Sequence, residues 1–310
     1  MTVVLFKSQD DDPNLWKSEL ERCLPELDFR IWPDVGAAED IEFLLIWGQL
    51  GELVKSLPSL KVIMSLGAGV DHLGDLTEIP QNISIVRLID QGLTQGMSEY
   101  VLLNVLRFHR LDVIYRKQQA KKIWREHPPV SASEICIGIM GLGVLGADAA
   151  KKLKSLDYEV LGWTRTPRSF DICSVLHGQK NLKEFLGRSN ILVCLLPLTA
   201  ETEGILCKET FSKLPTNSYL VNAGRGRHLV DGDLIEALKM GQLGGAAIDV
   251  FEKEPLPKSH PFWVNDKILI TPHAASITNY KTAAKSIAAN IKKWQTGGGV
   301  VGLVNSNQGY

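Results

Sequence analysis

The chain has 310 residues, with 34 Lys and Arg against 35 Asp and Glu, for a formal net charge of −1. This balance argues against a nucleic-acid partner, and the length suits two domains better than one. No apolar run approaches the ~18 residues of a membrane span, and the first residues do not resemble a signal peptide. We therefore expect a cytoplasmic protein with no membrane partner.

The first part of the chain alternates short apolar runs with helical or turn segments, which predicts a small α/β domain. The predicted strands are VVLF (3–6), FRIW (29–32), EFLLIW (42–47), KVIMSL (61–66) and ISIVRL (83–88). A long helix is predicted next, from about Met97 to Ala120. The loop that follows contains Pro128 and Pro129, which mark a domain boundary.

Residues 135–146, ICIGIMGLGVLG, form an apolar strand that leads into Gly141-x-Gly143-x-x-Gly146 and then into a helical pattern. This context is typical of a dinucleotide-binding turn, since Gly141 permits a tight turn, Gly143 admits the pyrophosphate and Gly146 lets the helix pack closely. Val144 and Leu145 begin the helix, so we expect them at the phosphates with the glycines. A ligand-free glycine turn is the alternative, which the flanking strand and helix disfavour.

A second series of apolar runs follows, again separated by helical patterns: EVLGW (159–163), ILVCLL (191–196), SYLVNA (218–223), GGAAIDV (244–250) and ILITP (268–272). This alternation predicts a Rossmann-type doubly wound parallel sheet. A further helix is predicted from Ile277 to Trp294. The predicted fold is thus α/β with two domains: a dinucleotide-binding domain of residues 98–277, inserted into a smaller flavodoxin-like substrate domain of residues 1–97 plus 278–310.

The second strand of the nucleotide domain lacks a feature that NAD-binding units carry. In those units an Asp or Glu ends this strand and accepts hydrogen bonds from the adenosine ribose. Here the strand is followed by Thr164, Arg165, Thr166, Pro167 and Arg168, with no carboxylate. Guanidinium groups bind a 2′-phosphate or stack on adenine, and the threonine hydroxyls add donors, so this turn favours NADP(H). A solvated basic turn is the alternative.

Three polar residues follow strands of the second series. Arg225 comes after SYLVNAG, Glu254 after GGAAIDVFEK and His273 after ILITP. Hydride transfer to a 2-oxo acid needs a cation for the carboxylate and ketone, a proton donor, and a partner that keeps the donor charged. The arginine fork suits the first task, histidine titrates near neutrality, and a nearby carboxylate stabilises imidazolium. A surface turn and a packing histidine are the alternatives, but the conjunction with the glycine fingerprint favours catalysis.

These segments resemble the D-isomer-specific 2-hydroxyacid dehydrogenase family over essentially the whole chain. The matching motifs are LGAGVDHL (66–73), IGIMGLGVLG (137–146), LLPLTAETEGIL (195–206), LVNAGRGRHLVDGDLIEAL (220–238), GGAAIDVFEKEPLP (244–257) and ITPHAASIT (270–278). Within the family the chain is most similar to the glyoxylate/hydroxypyruvate reductase A group, on FLLIWG, MSEY (97–100), GWTRT and the final QGY.

The resemblance implies roles for residues beyond the glycine turn. Arg225 would bind substrate and act in catalysis, Glu254 would pair with His273, and His273 would be the acid/base. The backbone of Ala68 and Gly69 would hold the substrate carboxylate. Further contacts to the cofactor are implied for Asp249, at the nicotinamide amide, and for Leu196, Pro197, Ala223 and Gly224.

The resemblance also implies an activity, a substrate class and an assembly. The expected reaction is NADPH-dependent reduction of small 2-oxo acids, glyoxylate to glycolate and hydroxypyruvate to D-glycerate, by a homodimer. Trp47 either limits the size of the substrate or anchors the core. Larger 2-oxo acids such as phenylpyruvate, or a nucleotide-sensing interaction protein without catalysis, are the alternatives. The remaining histidines share no metal-ligand spacing, so we expect no metal site.

Overall fold

The computed structural model describes residues 2–167 and 170–305. The chain divides into two compact units, Met1–Leu93 with Ile277–Tyr310, and Thr94–Ser276. The strands are β1 Thr2–Lys7, β2 Leu27–Ile31, β3 Phe43–Ile46, β4 Val62–Ser65, β5 Ser84–Val86, β6 Cys136–Met140, β7 Glu159–Thr164, β8 Ser174–His177, β9 Ile191–Cys194, β10 Ser218–Asn222, β11 Leu243–Ile248 and β12 Ile268–Ile270. The α-helices are α1 Pro13–Cys23, α2 Gln91–His109, α3 Asp112–Ala120, α4 Val144–Lys154, α5 Leu182–Arg188, α6 Lys208–Lys213, α7 Asp231–Met240 and α8 Tyr280–Gln295.

The first unit is built on a five-stranded sheet in the order β2-β1-β3-β4-β5, with every pair parallel. This 2-1-3-4-5 order is that of flavodoxin-like folds. Successive side chains of β3 point to opposite faces, so Phe43 and Leu45 pack in one core cluster while Leu44 and Ile46 pack in another. Both faces are therefore covered, which explains why β3 is uniformly apolar.

Helix α8 covers one of these faces with small and β-branched residues. Ala284, Ala288 and Ile291 recur at helical spacing and are buried in the same cluster as Phe43. The small alanines let the helix axis lie close to its neighbour, and α1 is that neighbour, with Trp16 in the same cluster. Residues from the two ends of the chain thus build one core.

The second unit is built on a seven-stranded parallel sheet in the order β12-β11-β10-β9-β6-β7-β8. Counted within this unit, the order contains 3-2-1-4-5-6, the doubly wound Rossmann arrangement. The direction of winding reverses between β6 and β9, and ligands of open α/β sheets bind outside the carboxyl ends of the strands at such a point. The glycine turn follows β6, so it lies at this position.

The structure differs from the sequence prediction at two elements of this unit. The helix predicted from Met97 to Ala120 is two helices, because Leu111 takes a left-handed backbone with φ of 57° and interrupts the run between α2 and α3. Strand β8, Ser174–His177, was not predicted; it is a four-residue edge strand with no fully buried side chain. A short, half-exposed strand leaves too weak a hydrophobic pattern to be recognised.

Candidate active site

The glycine turn after β6 has the backbone that a phosphate site requires. Gly141 has φ of +98°, and a Cβ there would lie 2.7 Å from the Leu195 carbonyl oxygen. A Cβ on Gly146 would lie 2.1 Å from the Gly141 carbonyl oxygen, so α4 can approach the turn only without a side chain at this point. Around Gly143, the N-cap residue of α4, a Cβ would meet nothing within 4 Å. The turn is closed on the protein side and open on the side where a pyrophosphate would lie.

At the end of β7, Thr164 is buried and its hydroxyl donates to the Thr166 carbonyl oxygen at 2.8 Å. This bond folds the turn that carries Arg165. The Arg165 guanidinium is exposed and lies 3.4 Å from the Glu201 carboxylate. An exposed ion pair of this length contributes little to stability. Arg168, also predicted to bind the cofactor, lies outside the described residues.

The loop after β9 passes beside the glycine turn, because the Leu195 N–H donates to the Met140 carbonyl oxygen at 2.9 Å. Leu196 is buried and Pro197 is half-buried in this loop. Ala223 and Gly224, which follow β10, are buried as well. These four residues therefore lie at the carboxyl ends of β9 and β10, where a nucleotide would cross the sheet.

Arg225 follows β10 in a short 3₁₀ turn that packs directly on the Glu254 loop. A Cβ on Gly226, the next residue, would lie 1.8 Å from the carbonyl carbon of Phe251. The two backbones can meet this closely only because Gly226 has no side chain. The Phe251 N–H in turn donates to Glu254 Oε1 at 2.9 Å, which orients that carboxylate. The Arg225 and Glu254 loops are thus fixed to each other through backbone contact.

Glu254 and His273, which the sequence analysis paired, lie within hydrogen-bond distance of each other. Glu254 Oε2 lies 2.8 Å from His273 Nδ1. Although burial alone would raise the Glu254 pKa, the hydrogen bonds from His273 and the Phe251 amide, with the charges of His273 and Arg225, lower it overall. Glu254 is therefore ionised at neutral pH, and its carboxylate both orients the imidazole and stabilises imidazolium.

His273 sits in a loop that is wound around one buried carboxylate. Its backbone has φ of +51°, a left-handed conformation that costs a non-glycine residue about 1–2 kcal/mol. Asp249, only 1% exposed, offsets this cost, since its carboxylate accepts from Thr271 Oγ1 at 2.6 Å and from the Ala274 and Ala275 amides at 2.8 and 3.0 Å. The predicted contact of Asp249 with the nicotinamide amide stays a prediction, whereas its bonds to this loop are observed.

Tyr100 extends this network from helix α2. Its hydroxyl lies 3.0 Å from Thr271 Oγ1, and because the Thr271 hydroxyl proton goes to Asp249, the tyrosine is the donor. Burial raises the Tyr100 pKa to about 12, so the phenol keeps its proton. Tyr100 and Thr271 were not predicted as site residues, although both lie in motifs that carry the family resemblance, MSEY (97–100) and ITPHAASIT (270–278).

Three predicted substrate residues lie in the first unit. Trp47 follows β3; its ring centroid lies 4.1 Å from that of His72, and its edge would touch a Cβ on Gly67 at 2.6 Å. Ala68 and Gly69 follow β4 in a loop held by the buried Ser65, whose single hydroxyl proton lies between the Gly67 and Gly69 carbonyl oxygens, at O···O distances of 3.0 and 2.8 Å.

The described residues contain neither a metal-binding cluster nor a membrane-spanning helix. Between residues 2–167 and 170–305, no group of three or more His, Cys, Asp or Glu side chains is arranged to hold a metal ion. In the same ranges, no helix has the length and apolar character needed to cross a membrane.

A glycine turn at the point where the sheet reverses, with a glutamate-paired histidine at the carboxyl edge of the same sheet, is the arrangement of a nicotinamide-nucleotide dehydrogenase. Residues 102–275 match the family model described as D-isomer specific 2-hydroxyacid dehydrogenase, NAD binding domain. The chain belongs to this family.

Relatives support this assignment over the full length. A glyoxylate/hydroxypyruvate reductase A from Yersinia enterocolitica is 38% identical over 312 residues, covering 99% of both chains. The structure of a D-isomer specific 2-hydroxyacid dehydrogenase from Xanthobacter autotrophicus Py2 in complex with NADPH and MES has 37% identity and a TM-score of 0.95, covering 100% of this chain and 99% of that one. An NADPH-dependent glyoxylate/hydroxypyruvate reductase from Sinorhizobium meliloti, in complex with NADP and sulfate, has 33% identity and a TM-score of 0.92, covering 100% of both.

Proposed function

We propose that this protein reduces small 2-oxo acids with NADPH, converting glyoxylate to glycolate and hydroxypyruvate to D-glycerate. The observation that carries the proposal is the 2.8 Å pair of Glu254 and His273, beside a loop that carries Arg225. Relatives named as glyoxylate/hydroxypyruvate reductases that align with the whole chain support the same substrates.

His273 is the proton donor in this proposal. Its imidazolium, stabilised by the ionised Glu254, donates from Nε2 to the ketone oxygen, since Nδ1 is engaged by the carboxylate. Arg225 binds the substrate carboxylate and polarises the ketone through its forked guanidinium. NADPH, when bound, supplies the hydride to the substrate C2. Asp249 keeps the His273 loop in its strained conformation, so the imidazole is in place before substrate arrives.

The cofactor proposal is NADP(H), and the residues at the nucleotide site fit it. The glycine turn leaves open space over Gly143 at the start of α4 for a pyrophosphate. Beyond β7, the exposed Arg165 offers a guanidinium for a 2′-phosphate, where an NAD-dependent enzyme has a carboxylate. Solved relatives in complex with NADPH or NADP support this choice.

In the first unit, the backbone of Ala68 and Gly69 would bind the substrate carboxylate, and Trp47 would limit the size of the substrate. The His72 ring at 4.1 Å and Gly67 restrict how far the indole of Trp47 can rotate. A side chain braced on two sides can exclude a bulky 2-oxo acid, which supports glyoxylate and hydroxypyruvate over phenylpyruvate.

We further propose a cytoplasmic homodimer formed through the nucleotide unit. Helix α2, helix α3 and the segment after them expose large apolar side chains: Leu103, Leu106, Tyr115, Ile123, Trp124 and Val130. Trp124 is fully exposed, and apolar area of this extent is typical of an interface with a second copy. Cysteines free of disulfides agree with a reducing compartment. Light scattering should report about twice the chain mass of 34.3 kDa.

The experiment that tests the reaction is a spectrophotometric panel that crosses NADPH and NADH with glyoxylate, hydroxypyruvate and phenylpyruvate. We expect oxidation of NADPH with the two small acids. His273→Gln should abolish most turnover while NADPH still binds, and Arg225→Lys should fail despite keeping the charge, because an ammonium cannot reproduce the fork. Absence of NADPH oxidation with every acid, or wild-type kcat in either variant, would contradict the proposal.

A further inference from the structure

His228 lies inside the Arg225 loop and is 0% exposed. Its Nδ1 accepts a hydrogen bond from the Arg225 main-chain N–H at 3.0 Å. Its Nε2 lies 3.2 Å from the Pro197 carbonyl oxygen. One imidazole therefore joins the loop after β10 to the loop after β9.

The neighbours of this ring fix its tautomer. A carbonyl oxygen can only accept, so Nε2 carries the proton and donates to Pro197. Nδ1 faces two donors, the Arg225 N–H and the Cys194 thiol, whose Sγ lies 3.8 Å away. Burial raises the Cys194 pKa to about 12, so that thiol keeps its proton. The ring is consequently neutral, with hydrogen on Nε2.

The rest of the loop holds the same arginine. The Arg225 carbonyl oxygen accepts from Asn222 Nδ2 and from the His228 N–H, both at 3.2 Å. Its guanidinium Nη1 donates to the Gly224 carbonyl oxygen at 2.8 Å. A Cβ on Gly224 would lie 2.9 Å from His228 Nδ1, so the ring reaches the Arg225 amide only because residue 224 is glycine. Amide, carbonyl and side chain of Arg225 are each held.

We propose that His228 is a positioning residue for the reductase reaction: as the neutral Nε2–H tautomer, it fixes the Arg225 main chain and hence the direction from which the guanidinium meets a 2-oxo acid. The inference rests on the proposed role of Arg225. The inference adds that the position of the Arg225 guanidinium depends on the buried His228 imidazole, which itself contacts neither the substrate nor the reacting atoms.

Two substitutions of His228, by Asn and by Gln, test its two hydrogen bonds separately. In His228→Asn, Oδ1 lies close to where Nδ1 was and can still accept from Arg225. In His228→Gln, Nε2 can still donate to Pro197, but the acceptor for Arg225 is withdrawn. Loss of the bond to Pro197 should matter less than loss of the bond to Arg225, because the Pro197 carbonyl oxygen also accepts from Thr202 Oγ1 at 2.7 Å. The variants are therefore expected to differ in substrate kinetics.

We expect His228→Gln to raise the KM for glyoxylate and lower kcat/KM about tenfold, with the Kd for NADPH within about threefold of wild type. His228→Asn should stay within about threefold of wild-type kcat/KM. His177→Gln, which replaces an exposed histidine of β8, is the matched control. Equal kinetics in the two variants at position 228, or a larger loss in Asn than in Gln, would overturn the inference.

A measurement on the wild-type protein keeps the inference testable if the variants do not fold. ¹⁵N NMR of the imidazole should report an unprotonated Nδ1 and a protonated Nε2 from about pH 6 to about pH 8. A ring with hydrogen on Nδ1, or one that becomes doubly protonated in this range, would overturn it. The resonance reports on His228 whether or not NADPH is oxidised, so failure of the proposed reaction remains a separate result.

Discussion

Replacing Thr271 by Val tests whether the buried Asp249 carboxylate holds the His273 loop. The substitution keeps the shape of the side chain but removes the hydroxyl that donates to Asp249 at 2.6 Å and accepts from Tyr100 at 3.0 Å. A charge-assisted hydrogen bond contributes about 1.5–3 kcal/mol, and the Tyr100 hydroxyl loses a bond of about 1 kcal/mol. The free energy of unfolding should therefore fall by about 2.5–4 kcal/mol.

The control is Tyr100→Phe, which removes the outer bond and leaves the one between Thr271 and Asp249. It should cost only about 1 kcal/mol in urea unfolding. Because the His273 backbone is left-handed, a loosened loop should also relax toward ordinary φ values, and kcat should fall about tenfold in Thr271→Val. A Thr271→Val protein within about 0.5 kcal/mol of wild type, with unchanged kcat, would refute the loop-anchoring role of Asp249.

Arg165→Ala should lower the ratio of kcat/KM for NADPH to kcat/KM for NADH about tenfold. The control is Arg188→Ala, which removes a similarly exposed arginine that pairs with Glu159 at the far end of β7 and should leave the ratio unchanged. An unchanged ratio in Arg165→Ala would show that this residue does not select the cofactor. Glu254→Gln should lower the reduction rate at neutral pH, since the carboxylate that orients the His273 imidazole is lost. Because the Glu254 pKa is lowered, the wild-type carboxylate is charged at neutral pH and loses its charge only as the pH falls through that pKa. A pH–rate profile for Glu254→Gln identical to wild type would contradict its role.

Elements with strong local patterns were predictable from the sequence. The apolar strands buried on both faces carry continuous hydrophobic runs, so β6 and β9 could be placed to within about two residues. Helix α4 could be placed from the glycine turn alone. The break between α2 and α3 could not be predicted, because it depends on a left-handed backbone at Leu111 and leucine is not a residue type that favours this conformation.

In the candidate site, too, some residues could be predicted from the sequence and others could not. Arg225, Glu254 and His273 follow strands of one sheet, and that rule alone predicts that they approach each other. The residues that hold them depend on contacts between segments distant in sequence. His228 lies 34 residues from Cys194 along the chain, and Tyr100 lies 171 from Thr271. No local periodicity records such pairs, so the contacts of the buried histidine and the helical tyrosine could not be predicted from the sequence.

The left-handed backbone of His273 has a consequence for protein engineering. The imidazole is aimed by a loop that holds its shape only while Asp249 binds Thr271, Ala274 and Ala275. Transferring only His273 and Glu254 to another scaffold would omit the hydrogen bonds to Asp249 that hold the loop. The smallest portable unit is therefore the whole stretch 249–275, which includes all of β12, and a graft that omits Asp249 should leave the His273 loop without its hydrogen-bonded support.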